Sequence, residues 1–253
     1  MSTGTDVAGA RSGLDFPTAW ARGRVASAVR SVLQGVVVVA LVRTFAPSTR
    51  RGIAALRRLD GPFILASNHQ SHADTSVIVA ALPRQVRKRL VVAAAADVFF
   101  SSRLRGGFAA LVYNAIPIER NKVERRSAGL ARELLSQGWG LLIYPEGHRS
   151  EDGRLLEFKG GAAYLADRSG AVIIPCYVEN TRFILPRLFA KTSPRSPAHL
   201  GLRTPVTVTF GPGIVPIEGE TTRRLGRRIE AAITHLGRDV AGDPLAGDEP
   251  LSA

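Results

Sequence analysis

The 253-residue chain has one cysteine, Cys176, and one methionine. A single cysteine excludes an intrachain disulfide framework and a thiolate metal cluster, and it agrees with a reducing compartment. Only two tryptophans are present, Trp20 and Trp139. No interleaved aromatic platform or known binding motif accompanies the basic residues, which argues against a nucleic-acid-binding protein. Long apolar runs are scarce. The longest, Val32 to Val42, is broken by Gln34 and Gly35 and flanked by Arg30 and Arg43, short of the roughly 20 apolar residues that a spanning helix needs. No small-residue cleavage site follows it, and the region before it is too long and mixed for a secretory signal. It reads either as a buried helix or strand of the core, or as a helix lying in a membrane interface with its arginines at headgroup level and its valines in the acyl boundary. Acidic residues are also few: 21 against 34 basic ones, a net charge of +13. Lysine contributes only Lys88, Lys122, Lys159 and Lys191, so arginine supplies nearly all the positive charge. Such a field attracts nucleic acid, acidic lipid headgroups, phosphorylated substrates or an acidic carrier protein, and composition does not choose among them.

What is present is an ordinary globular composition, 45% hydrophobic and 22% charged, enough for one sizeable core and unlike a disordered or multi-span chain. Residues 1–18, rich in Gly, Ser, Thr and Asp, read as a flexible tail. A helix follows from Trp20 to Phe45, closed by Pro47, within a possible membrane-interfacial segment over 19–60. From Gly61 onward strands alternate with helices: strands at Phe63–Ala66, Leu90–Ala94, Ala115–Ile118, Gly140–Tyr144, Ala171–Val178 and Pro205–Phe210, and helices at Ser76–Leu82, Val123–Gln137, Gly161–Arg168 and Glu220–Leu236. This alternation predicts an α/β domain over 61–236 with a largely parallel central sheet flanked by helices, and a flexible tail over 237–253.

The densest chemistry is Asn68-His69-Gln70-Ser71-His72-Ala73-Asp74 at the end of a strand. A histidine there and an aspartate five residues on can fold back on each other. The carboxylate then fixes the imidazole tautomer and leaves the other ring nitrogen to take a proton from a hydroxyl. His69, His72 and Asp74 are also a conceivable zinc set, as in a metal-dependent hydrolase, but no partner cluster of ligands accompanies them. A second strand ends in Tyr144-Pro145-Glu146-Gly147-His148-Arg149-Ser150, a tight turn in which Arg149 suits a phosphate by forked hydrogen bonding. A third ends in Ile116-Pro117-Ile118-Glu119-Arg120. Each of the last two is unremarkable alone.

Together and in this order they resemble the glycerophospholipid acyltransferase family, which includes bacterial lysophosphatidic acid acyltransferases. The carrying residues are Asn68, His69 and Asp74; the strand ending in Arg120; Pro145, Glu146, Gly147, Arg149 and Ser150; and Val172-Ile173-Ile174-Pro175. Phe158-Lys159-Gly160-Gly161 also looks like the family. The resemblance covers roughly residues 61–213. Two positions depart from the pattern, His148 where threonine is common and Pro117 where an aromatic or aliphatic residue is commoner; both bear on acceptor choice more than on reaction class.

The resemblance implies an O-acyltransferase without a bound cofactor, using acyl-CoA or an acyl carrier protein thioester as donor. Its acceptor would be a glycerophospholipid precursor, 1-acylglycerol-3-phosphate first among them, with another lysolipid or a specialised alcohol as the alternative. It further implies His69 as general base, Asp74 as its orienting partner, and Arg120 and Arg149 as phosphate ligands. Glu146 would hold the glycerol hydroxyl or brace an arginine, Gly147 and Ser150 would complete the acceptor loop, and Asn68 and Lys159 would support it. Membrane lipids become the expected partners and the cytoplasmic face of the cell membrane the expected location, peripheral or monotopic.

Overall fold

The computed structural model describes residues 13–57, 59–119, 125–150, 152–184, 203–242 and 249–250. Five strands with apolar residues on both faces form its centre: β2 (Phe63–Ser67), β3 (Leu90–Ala95), β4 (Ala115–Ile118), β5 (Gly140–Ile143) and β6 (Val172–Glu179). They lie in the order β4-β3-β5-β2-β6 and are all parallel. Parallel neighbours need crossover connections, which cover both faces of a sheet with helices, so each strand must be apolar on both sides. Beyond β6 the direction reverses. β7 (Val206–Phe210) pairs antiparallel with β6, β1 (Ser48–Arg51) runs parallel to β7, and β8 (Glu249–Pro250) closes the edge antiparallel to β1. The expected α/β fold with a largely parallel sheet is the fold observed.

Alternation within each strand divides the core in two. Phe63 and Leu65 point to one face, with Val92, Leu142, Ile174 and Val178, and pack on α1 (Arg24–Phe45) and α3 (Asp74–Ala81). Ile64 and Ala66 point to the other, with Val91, Leu141 and Ile173, beneath α7 (Arg125–Ser136), α8 (Gly161–Ser169) and α9 (Thr222–Gly242). Burying each such Leu or Ile contributes about 1.5–3 kcal/mol relative to leaving it in water. The short helices α2 (Ala54–Arg57), α4 (Arg84–Lys88) and α5 (Ala96–Phe99) and the longer α6 (Arg103–Tyr113) complete the described helices.

Several elements differ from the sequence reading. Helices α5 and α6 lie within residues 96–113, where the sequence predicts no element between two strands. Gly106 lies where a Cβ would come 2.7 Å from the Phe16 ring, so it permits close packing inside a helix that Ser102 caps through its side chain. Phe16 and Phe100 meet at 5.2 Å between ring centroids, which ties residues 13–18 to the body. Strand β1 has the polar sequence Ser-Thr-Arg-Arg and gives no hydrophobic alternation to read. The boundary expected at residue 60 does not divide two bodies, because β1 and the buried Val38, Val42 and Leu56 belong to the same sheet and core. The last helix continues past Leu236 to Gly242.

Helix α1 departs furthest from expectation. It has 22 residues and, among the described residues, is the one helix long and apolar enough to cross a membrane by length and composition; the sequence reading judged this segment too short. Its buried positions, Arg30, Gln34, Val38 and Val42, recur every four residues. An α-helix would rotate such a row by about 40° per step. The π-type turns at Leu33–Val38 are wider, counter that drift, and keep the row against the body. Gln34 donates its amide to Val112 O at 2.7 Å, pinning α1 to the end of α6. Arg30 is buried rather than at headgroup level, and donates to Ala21 O at 2.6 Å and Ser27 Oγ at 3.1 Å.

Candidate active site

Loops at the carboxyl ends of parallel strands are where α/β sheets gather ligands. Here β2, β5 and β3 lie side by side, and their exits form one site. The last ladder pair of β2 and β6 is Ser67 with Cys176. Asn68 then extends the pairing with its side chain: Oδ1 accepts the Val178 N–H at 2.7 Å and Nδ2 donates to Val178 O at 2.9 Å. A buried asparagine thus substitutes for one more backbone residue and releases the main chain to turn.

That turn carries His69 out and returns at Asp74, the first residue of α3. His69 Nδ1 and Asp74 Oδ2 are 2.8 Å apart. The same oxygen accepts the N–H groups of Gln70 at 2.7 Å and Ser71 at 2.9 Å. The Asp74 carboxylate turns back into the loop that precedes α3. It is fully buried, while His69 keeps 19% of its side chain exposed. With Nδ1 occupied, Nε2 is the ring nitrogen left for a substrate. His69 also stacks on Tyr144, ring centroids 4.0 Å apart and planes 17° from parallel. The Tyr144 hydroxyl bonds Thr75 Oγ1 at 2.8 Å, and burial with the nearby Asp74 charge holds its pKa well above the ordinary value. Tyr144 escaped the sequence reading. The β2–β5 register, Ala66 opposite Ile143, brings the residues following these two strands together and is the signal that could have found it.

The loop after β5 braces this turn. Glu146 Oε1 accepts the His69 N–H at 2.7 Å and Oε2 accepts the Leu156 N–H at 2.9 Å. Both oxygens of this buried carboxylate therefore accept from the backbone and brace the turn. Burial raises its pKa, and the two N–H donors oppose the rise. Ser150 is likewise internal, donating its N–H to His69 O at 2.8 Å and its hydroxyl to Asp152 at 3.1 Å. Gly147 sits at φ +70°, a backbone conformation that makes the turn need glycine. Lys159 supports the loop through its own N–H, donated to Pro145 O at 2.8 Å.

Between these loops and β3 lies a cavity of about 230 Å³. Its polar end is lined by His69, His72, Thr75, His148 and Arg149; the rest is apolar, from Val92 to Ala95 with Val98, Phe99, Ala109, Tyr113, Ala115 and Ile118. His72, edge-on to Phe99 at 6.3 Å, is a lining residue the sequence reading treated only as a possible metal ligand. Its pKa is lowered by burial, then by Arg149 and His69. Among the described residues no three His, Cys, Asp or Glu side chains gather as a metal site. Arg149 lies at the polar end; Arg120 lies outside the described residues. Cys176 is buried, and its thiol is pushed up to about 12, which leaves no thiolate for a covalent intermediate. The arrangement is a tautomer-locked imidazole with one guanidinium near it, at the head of an apolar slot.

Comparison with known proteins follows the same lines. A family model described as Acyltransferase matches residues 48–179. The chain is 30% identical over 137 residues to the chloroplastic 1-acyl-sn-glycerol-3-phosphate acyltransferase of Arabidopsis thaliana, 53% of this chain and 36% of that protein. It is 27% identical over 198 residues to the alpha form of the mouse enzyme of that name, 75% of this chain and 64% of that protein. The crystal structure of the 1-acyl-sn-glycerophosphate acyltransferase from Thermotoga maritima shares the fold, with a TM-score of 0.63 at 19% identity over 92% of this chain and 87% of that one. The match to the plant protein spans little more than a third of its length.

Proposed function

The chain belongs to the acyltransferase family, and on that footing we propose that it transfers a fatty acyl group from a thioester to the free hydroxyl of 1-acylglycerol-3-phosphate, giving phosphatidic acid. The observation that carries the reading is the His69–Asp74 pair at the head of an apolar cavity that also holds Arg149. His69 Nε2 takes the proton of the acceptor hydroxyl as its oxygen attacks the thioester carbonyl carbon. The resulting imidazolium is stabilised by the Asp74 carboxylate. Collapse of the tetrahedral adduct breaks the carbon–sulfur bond, and the departing thiolate recovers the proton from His69. Both substrates are present at once, since Cys176 is inert and no Gly-x-Ser-x-Gly elbow exists in the sequence.

Arg149 binds the acceptor phosphate, with Arg120 as its partner by family resemblance; the apolar lining takes acyl carbon. The thioester comes from coenzyme A or an acyl carrier protein, both anionic and both drawn by the +13 charge. Catalysis rests on the loops at the carboxyl ends of the sheet and lipid association on the outer face of α1, which lies at the cytoplasmic face of the cell membrane. Because Val38, Val42 and Gln34 are core residues, deleting α1 would unfold the protein, and point changes on its outer face are the usable test of anchoring.

A thioester-release assay across lysolipid acceptors with and without a phosphate tests the proposal. Wild type should turn over 1-acylglycerol-3-phosphate and neglect the phosphate-free analogue, and Arg149→Ala should raise KM for the former. Equal use of both acceptors would refute the phosphate assignment.

A further inference from the structure

Catalysis does not account for the largest apolar side chains left in water. On α6, Leu104 is 87% exposed and Phe108 64%; four residues apart, they share one face of the helix. The same helix lines the cavity with Ala109 and Tyr113, so α6 is a wall, with the cavity on one side and bare Leu104 and Phe108 on the other. Helix α1 packs on α6 and adds Val25, Val29, Val32 and Val36, all exposed and spaced to form one stripe. Helix α5 also packs on α6. Its Val98 and Phe99 line the cavity and are each 38% exposed, which makes them the rim. Bare apolar surface of this extent is unusual on a free soluble protein.

We infer that the outer face of α5 and α6 is a second lipid-contacting surface, docked on an anionic bilayer so that the cavity opens into the acyl layer. This rests on the lipid-acyltransferase reading above. Charge favours a bilayer as the occupant. Arg103 and Arg105, both exposed, flank Leu104, and the one carboxylate on these two helices, Asp97, is already engaged within the chain. Proximity favours it too, because α5, whose Val98 and Phe99 form the rim, packs directly on α6. The acyl chains of donor and acceptor then reach the slot without crossing water, and α6 transmits the depth of docking to the wall that lines it.

Co-sedimentation of the full chain with phosphatidylglycerol–phosphatidylcholine vesicles, and with phosphatidylcholine alone, tests this without requiring turnover. The Leu104→Asp, Phe108→Asp double variant should lower partitioning about tenfold or more with an unchanged thermal unfolding midpoint, since both side chains are exposed. Arg103→Ala with Arg105→Ala should abolish most of the preference for phosphatidylglycerol and its sensitivity to salt. Unchanged partitioning of the double variant would overturn the inference. So would loss of a wild-type dimer, or of binding to an acidic carrier protein, with vesicle partitioning intact, since the surface would then belong to a protein. Vesicle binding that falls as expected in a wild-type protein with no acyl transfer would sink the catalytic reading and leave the surface standing.

Discussion

The turn proposed for catalysis and the face of α1 and α6 proposed for lipid contact solve opposite problems. Between Asn68 and Asp74, side chains and main chain are fastened to other protein groups: Asn68 to Val178, His69 to Asp74 and Glu146, and the loop N–H groups to Asp74. On α1 and α6, by contrast, Val25, Val32, Val36, Leu104 and Phe108 touch little of the protein. Proton transfer needs an imidazole held within a fraction of an ångström, which only internal bonds supply. Lipid contact needs only area and depth, and the medium supplies the partner. Precision is therefore concentrated in seven residues, and the exposed stripe tolerates exchange among apolar residues.

The largest effect should come from the turn itself. His69→Ala is expected to lower kcat roughly 10²- to 10⁴-fold, the range for removing a general base, with the protein still folded because Asp74 keeps the Gln70 and Ser71 N–H donors. Asp74→Asn should approach the same loss while also loosening the loop, since an amide facing the Gln70 and Ser71 N–H groups replaces a shared acceptor. Steady-state turnover beside thermal unfolding separates the two. Full turnover in His69→Ala would place the chemistry elsewhere.

Next is Glu146, where the comparison can be broken. As a brace rather than a substrate ligand, its loss in Glu146→Ala strands two buried N–H groups, at about 1–3 kcal/mol each. The midpoint should fall and kcat with it, while KM for the acceptor stays within a factor of about two. A selective rise in KM would mean the carboxylate meets substrate after all. Burial raises its folded pKa above 4.5, so an acid whose ionisation is resisted in the fold contributes stability that is complete below 4.5 and lost as pH rises through the folded value. The difference in midpoint between wild type and Glu146→Gln should therefore change on the acid side and be flat above it.

A smaller effect contrasts the two faces of α1. Gln34→Leu removes the bond to Val112 O and should cost about 1–2 kcal/mol, leaving vesicle binding intact. Val36→Asp should do the reverse, with a steady midpoint and weaker vesicle binding. Urea unfolding and co-sedimentation read the pair; if both variants lose stability alike, the helix has no distinct outer face.

How much of this was legible in the sequence follows the same division. Strands β2 to β6 announced themselves because burial on both faces demands apolar runs, and His69 and Asp74 because five residues can close a turn. Strand β1 stayed hidden because its pairing with β7 and β8 is made by backbone, which Ser-Thr-Arg-Arg supplies as well as Val or Ile would. The π-type turns of α1 were hidden because a four-residue burial row has meaning only once the body it faces is known. Helix α6 was obscured by two glycines, one of which is set by Phe16, ninety residues away in the chain. The backbone contacts of Glu146 were hidden for a related reason. A carboxylate beside an arginine suggests a ligand, and only the fold shows both its oxygens engaged by main-chain donors from distant loops.

The smallest expected effect is a pH dependence at His72, which borders both the fixed turn and the apolar slot. Burial, Arg149 and His69 all disfavour its charged form, and Asp74 alone opposes them. A base whose folded pKa lies below its unfolded value of 6.5 binds protons more weakly in the native state, so stability is complete above 6.5 and falls with pH down to the folded value. Wild type should therefore lose thermal midpoint relative to His72→Gln as pH drops below 6.5, and match it at pH 8. The residue is exposed and its neighbours are partly solvated, so the gap should stay within about 2–4 °C, the scale of ~1 kcal/mol in a domain of this size. A gap of the opposite sign would mean that Asp74 governs His72 as well as His69. The carboxylate would then be divided between two imidazoles, and the tautomer lock on the catalytic one would be weaker than its 2.8 Å contact implies.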